Sequence, residues 1–177
     1  MILMSVDPQS LTLAIYPAKI LVERANDVDP ADPKVQAVAQ RMIEMMFEHN
    51  GVGLAATQVG LPWRIFVTRN QNDESDSVNG VAWINPVLEV IDKAIDIEEE
   101  GCLSLPKVHG NIRRPIAVRI SGHDAQGNPV ADESSEFIAR IWQHENDHLD
   151  GVLIIDKMSA MDRLVNRKVL RNLERQQ

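Results

Sequence analysis

The sequence has a single cysteine, Cys102, so no disulfide can form within the chain. Its apolar runs are only a few residues long, too short for any segment to cross a bilayer as a helix. Base is scarce: 18 Lys and Arg against 26 Asp and Glu give a formal net charge of −8. A phosphate backbone calls for a basic footprint, so dedicated nucleic-acid binding is disfavoured. Two local basic clusters remain, Arg113, Arg114 and Arg119, and Arg163, Arg167, Lys168, Arg171 and Arg175, and both read as ordinary solvated faces. The opening MILMSVDPQS has no Lys or Arg ahead of an apolar stretch, which is unlike a signal peptide. It also lacks the Arg-rich, acid-poor character of a transit peptide. A reducing cytoplasm is the expected home.

What is present is ordinary globular material. With 177 residues, 44% hydrophobic and 25% charged, the chain fits one domain spanning 1–177. A domain of this size buries roughly 70% of its extended surface and needs no staples.

Residues 1–32 are irregular, with Leu11 to Ile15 and Ile20 to Val22 as short strands or packing arms. Asp32-Pro33 predicts a helix start, followed by Val35, Val38, Ala39, Met42, Ile43, Met45 and Met46 at helical spacing and a stop near Asn50-Gly51. The methionines read as core filler. GVGLAATQVG, Gly51 to Gly60, is a glycine-rich loop that allows close backbone approach to a ligand, without the Lys-Ser/Thr of a phosphate loop. Strands are expected at Arg64–Thr68, Val81–Ile84, Val87–Ile91, Ala94–Glu98 and Pro115–Ser121, with an edge at Pro129–Ala131 and a polar hairpin or loop over Asn70–Gly80. Helical spacing returns over 134–149, where Phe137, Ile138, Ile141, Trp142 and Glu145 share a side. Val152–Ile155 reads as a short strand. Ser159 and Asp162 suggest a capping box for a last helix with Leu164, Val165, Val169 and Leu173 facing inward. The fold class expected is α+β: one domain of antiparallel or mixed sheets packed around a central metal-binding helix, with a C-terminal helix.

The central helix carries the strongest signal, His144-Glu145-Asn146-Asp147-His148. Residues i and i+4 lie one turn apart on one face, so two imidazoles can share a divalent ion while Glu145 polarises a water held by it. Two histidines leave such a site short of a ligand. Cys102, in EGCLSLP from Glu100 to Pro106, offers a thiolate and would give a donor set suited to iron(II), zinc or nickel. Asp150, Asp156, His123 and His109 are the rivals.

GVGLAATQ (Gly51–Gln58), EGCLSLP and QHENDHLDG (Gln143–Gly151) together resemble the three signature motifs of the peptide deformylases, in the family's order and spacing. The resemblance runs loosely from about Ile15 to Leu173. It implies removal of the formyl group from N-formylmethionyl nascent polypeptides, with formate and a free α-amino terminus as products. It implies one divalent metal held by Cys102, His144 and His148, typically ferrous iron, with nickel, cobalt or zinc as substitutes. Glu145 would be the general base and proton shuttle; Gln58 and the Leu103 backbone N–H would hold the oxyanion. Val52 and Gly53 would hydrogen-bond an extended peptide; Phe137, Ile141 and His109 would border the methionine pocket; Glu100 would pair with Arg113 or Arg140. Tyr16-Pro17-Ala18-Lys19-Ile20-Leu21, His109 and Trp142 depart from the family's usual residues and bear on pocket shape and turnover. A monomer is expected, with transient ribosome association possible through the C-terminal helix and no membrane partner. The alternatives are a related metal amidohydrolase acting on another formyl or short-acyl amine, and a non-catalytic binding protein.

Overall fold

The computed structural model describes residues 6–70 and 79–176. Helix α1 spans Pro33–Glu48, opened as expected by Asp32, whose carboxylate accepts from the Lys34 N–H at 2.8 Å. Its buried stripe of Val35, Val38, Met42, Ile43 and Met46 packs with Leu54, Ile65, Val67 and Ile84 into one core cluster. The methionines are core, as their spacing suggested.

One five-stranded sheet, antiparallel throughout, follows chain order: β1 Gly53–Ala55, β2 Ile65–Arg69, β3 Gly80–Cys102, β4 Leu105–His123 and β5 Pro129–Ser134. The three strands expected between Val81 and Glu98 are a single strand, β3, carried through by register shifts between Ile84 and Val87, Val90 and Asp92, and Asp92 and Ile95. Asn85-Pro86, read as a break, is one of these bulges. Asn85 takes a positive φ of 52° and exchanges side-chain hydrogen bonds with both the N–H and the C=O of Val28. Of the hairpin or loop expected over Asn70–Gly80, residues 71–78 lie outside the described residues.

Leu11–Ile15 is a packing arm, one of its two expected forms: Ala14 N–H donates to the Gln58 carbonyl at 2.7 Å, and Tyr16 N–H to the Ser104 carbonyl at 2.9 Å. Two segments differ from expectation. Ile20–Val22 belongs to a 3-10 turn, Lys19–Val22. Val152–Ile155 is not a strand; helix α3, Ile154–Lys157, starts there because the Asp156 carboxylate accepts from the Leu153 N–H at 2.9 Å.

Helix α2, Phe137–Leu149, lies across the sheet with Trp142 in the core, edge-on to Trp83 at 5.6 Å between centroids. Helix α4, Ala160–Arg175, has the expected Ser159 cap. Its inner face is partly the one expected: Leu173 is buried and Val169 packs against the same core cluster, but Leu164 and Val165 point to solvent, 57% and 73% exposed, and Asn166 is buried. The domain is α+β, with four α-helices on an antiparallel sheet among the described residues.

Candidate metal centre

His144 and His148 sit one turn apart on α2, their ring centroids 5.0 Å apart. The end of β3 brings Cys102 to them, its Sγ 3.2 Å from His148 Nε2. One donor atom from each of Cys102, His144 and His148 lies within 4.8 Å of the others. Among the described residues, this is the only group of three such side chains placed to share an ion. The rival third ligands are engaged elsewhere. Asp150 pairs with Arg64 at 2.9 Å, Asp156 caps α3, and His123 stands at the far end of β4 opposite Ile84 and Pro129. His109 lines the cleft outside the donor group.

The donor set fits a divalent ion on its own terms. One sulfur and two imidazole nitrogens suit iron(II), nickel, cobalt or zinc. His144 Nδ1 lies 2.9 Å from Glu100 Oε2, which leaves its Nε2 for an ion and fixes the ring, as an outer carboxylate does in metal sites.

Glu100 is the hub behind the ligands. Arg114 grips it through two nitrogens and Arg140 through one at 2.7 Å, with all three side chains buried. Arg114 also donates to Asp147 at 2.8 Å, and Lys157 reaches the same Asp147 oxygen at 2.7 Å. Burial opposes charge on Glu100, but hydrogen bonds from Arg114 and His144 hold its carboxyl far below the usual range. Burial likewise opposes charge on His144, yet its bonds to Cys102 and Glu100 push its pKa up to about 10. Burial, with the nearby positive charges of His144 and Arg114, takes His148 well below its ordinary value.

The pairing expected for Glu100 needs one correction: Arg114, not Arg113, is the partner alongside Arg140. Alternation decides it. Val108, Gly110, Ile112 and Arg114 share the buried face of β4, and Arg113 points outward. Counting by twos from Val108 would have found it in the sequence. Ser104 was also missed. It is fully buried and accepts from Gln58 Nε2 at 3.1 Å. Asp147, inside the helix motif, carried no signal of its own, because its partners come from β4 and α3.

Glu145 is 4% exposed, and its Oε2 has no hydrogen-bond partner. Burial raises its pKa to about 7, against the pull of His144 and Arg114. Its other oxygen rests against Gly53, where any Cβ would overlap the carboxylate. The glycine of β1 is what admits the acid. Gln58 is oriented by its neighbours: Oε1 accepts from the Ala55 N–H at 2.9 Å, so Nε2 faces Ser104 and Cys102, 3.4 Å from the sulfur.

A cleft of about 420 Å³ gathers Val52, Gly53, Gln58, Cys102, Leu103, His109, Phe137, Ile141, His144 and Glu145. His148 closes the site from behind and is 1% exposed. One wall is β1, which among the described residues pairs only with β2 and has an open second edge; the end of β3 at Glu99–Gly101 also lines the cleft. Phe137, grouped by spacing with the inner face of α2, is instead 55% exposed at the rim.

A desolvated carboxylate of near-neutral pKa, set in an open cleft beside soft and borderline donors, is the equipment of metal-dependent hydrolysis, and it is the site that points to that class. The family model described as polypeptide deformylase matches residues 10–164. Peptide deformylase of Thermotoga maritima is 40% identical over 164 residues, 92% of this chain and 96% of that protein. The solved peptide deformylase of Plasmodium falciparum aligns with a TM-score of 0.83 at 34% identity, over 93% of this chain and 96% of the other. Arabidopsis thaliana peptide deformylase 1B in complex with an inhibitor gives a TM-score of 0.85 at 30% identity, over 94% and 91%. This chain belongs to the polypeptide deformylase family, whose members are hydrolases.

Proposed function

We propose that residues 1–177 form one catalytic domain that hydrolyses the formyl group from N-formylmethionyl nascent polypeptides, releasing formate and a free α-amino group. The observation that carries this reading is the meeting of Cys102, His144 and His148 donor atoms within 4.8 Å, beside the partnerless carboxylate of Glu145. A divalent ion in this set, ferrous iron by preference with nickel, cobalt or zinc as substitutes, supplies the Lewis acidity that activates water and polarises the formamide oxygen.

The chain's own residues do the rest. Glu145 takes a proton from the attacking water as its oxygen joins the formyl carbon. It then delivers that proton to the nitrogen as the C–N bond breaks. A pKa of about 7 suits both directions of transfer. Gln58 Nε2 and the Leu103 backbone N–H donate to the oxygen that gathers negative charge. The pinned orientation of Gln58 supports its part. Val52 and Gly53 bind the peptide backbone as an added strand would, a role supported by the open edge of β1. Ile141, Phe137 and His109 border the methionine side chain, supported by their common place on the cleft wall.

The enzyme acts as a monomer in the cytoplasm, where the Cys102 thiol stays reduced. No helix is long and apolar enough to cross a membrane among the described residues. Transient ribosome association is supported by the exposed cationic row Arg163, Arg167, Lys168, Arg171 and Arg175 on α4.

The test is anaerobic purification with metal analysis, then formate release from formyl-Met and acetyl-Met peptides on the same sample. Formate from the formyl peptide alone supports the reading. No formate from fully iron-loaded protein ends it.

A further inference from the structure

His109 stands on β4 opposite Gly101 of β3, at the wall of the cleft. Its ring lies so close over position 101 that a Cβ there would come within 2.9 Å of Cε1 and Nδ1. Gly101 therefore leaves the room this imidazole occupies.

The backbone of His109 is held by α4. Asn166 Nδ2 donates to the His109 carbonyl at 2.7 Å, and Asn166 Oδ1 accepts from the His109 N–H at 3.4 Å. One carboxamide thus answers both polar groups of one strand residue, as a neighbouring strand would. Nδ2 also donates to the Asp162 carbonyl at 2.8 Å, one turn back on α4, which fixes which end of the amide faces which group. Asn166 is 6% exposed and shares the inner side of α4 with Leu173. A polar side chain there is tolerated because its bonds are made. Next to it, Met158 packs so tightly on Gly110 that a Cβ would meet its Cγ at 2.7 Å. The α3–α4 unit grips residues 108–110 from behind.

We propose that Asn166 is a positioning residue for peptide recognition: it fixes the His109 stretch of β4, and with it the wall that meets the substrate. This rests on reading His109 as part of that wall. Without the amide, the His109 N–H and C=O lose their partner on the α4 side and the wall loses its single shape. The effect falls on binding rather than on bond-breaking, because Gln58 is held by Ala55 and Ser104, and Glu145 sits on α2.

The experiment is a double-mutant cycle on iron-loaded enzyme: wild type, His109→Ala, Asn166→Ala and the double variant, assayed for formate release from formyl-Met-Ala-Ser. The Kd of the product Met-Ala-Ser, measured by calorimetry, gives a second readout that is free of the chemical step. Each single substitution is expected to raise KM and product Kd about fivefold, with kcat of Asn166→Ala within about twofold of wild type. The double variant is expected to be no worse than the weaker single. Asn166→Asp, which turns an acceptor towards two carbonyls, should match Asn166→Ala. If Asn166→Ala does not fold, Asn166→Ser takes its place in the cycle. Raised KM in His109→Ala with wild-type KM in the Asn166 variant overturns the inference alone, as do fully additive effects. Wild-type KM in His109→Ala overturns the reading of His109, and the inference with it.

Discussion

The two ends of one strand behave as different materials. From Glu89 to Glu99, β3 is exposed at every residue and bulged, with Val90, Ile91, Ile95 and Ile97 in water. One residue further on, Glu100 is buried in a lattice of charge. Arg140 joins the two regimes. It reaches half-exposed Asp96 and Glu98 on one side and buried Glu100 on the other. The solvated pairs contribute little to stability, because water competes for both partners. The buried one cannot lose a partner without stranding a charge. A long strand can thus be loose for most of its length and still place a candidate metal ligand closely, provided the last residues before it are fixed by groups that have no alternative.

Substitutions graded along the strand test that contrast. Cys102→Ala should have the largest effect, removing stoichiometric iron and all measurable formate release together, as metal analysis and assay of one sample will show. Glu145→Ala should lower kcat by about a hundredfold to ten-thousandfold while the ion stays bound, and its melting temperature should not fall, because a buried carboxylate without a partner is removed. Arg114→Met should cost about 3–5 kcal/mol in denaturant unfolding, because it leaves Glu100 and Asp147 short of a cation. In the exposed stretch, Ile95→Thr should stay within about 0.5 kcal/mol of wild type in the same measurement. A cost near that of Arg114→Met would erase the distinction between the two ends. The smallest effect belongs to Asp124, whose side chain takes hydrogen bonds from Gln126 and Asn128 in the β4–β5 turn. Those bonds hold its pKa below the ordinary value against slight burial, so its contribution is present above about pH 4 and lost as pH falls. Asp124→Ala should lower the melting temperature by about 1–2 °C at pH 7, and the difference should shrink as pH falls below about 4.

Much of the site was legible because its chemistry is local. His144, Glu145 and His148 declare themselves by helical spacing, and the glycines around Val52 mark a place of close approach. Asp32 and Ser159 announced their helices because a cap acts within three residues. What could not be read depended on partners far along the chain. Asn85-Pro86 looked like a break, and only Val28 across the fold turns it into a bulge. Val152–Ile155 looked like a strand because apolarity outweighed the cap offered by Asp156. Of the inner face expected for α4, Val169 and Leu173 do face the core, whereas Leu164 and Val165 do not. The buried side also holds Asn166, because β4 offers its carboxamide bonds that no aliphatic side chain could make.

The bare edge of β1 has a wider meaning. Amide groups are common to every polypeptide, whatever its side chains spell. Under the proposed function, a trough walled by that edge would grip what all newly made chains share and ignore most of what distinguishes them. Discrimination would then fall on the first residue, and one catalyst of modest size would serve the output of an entire genome.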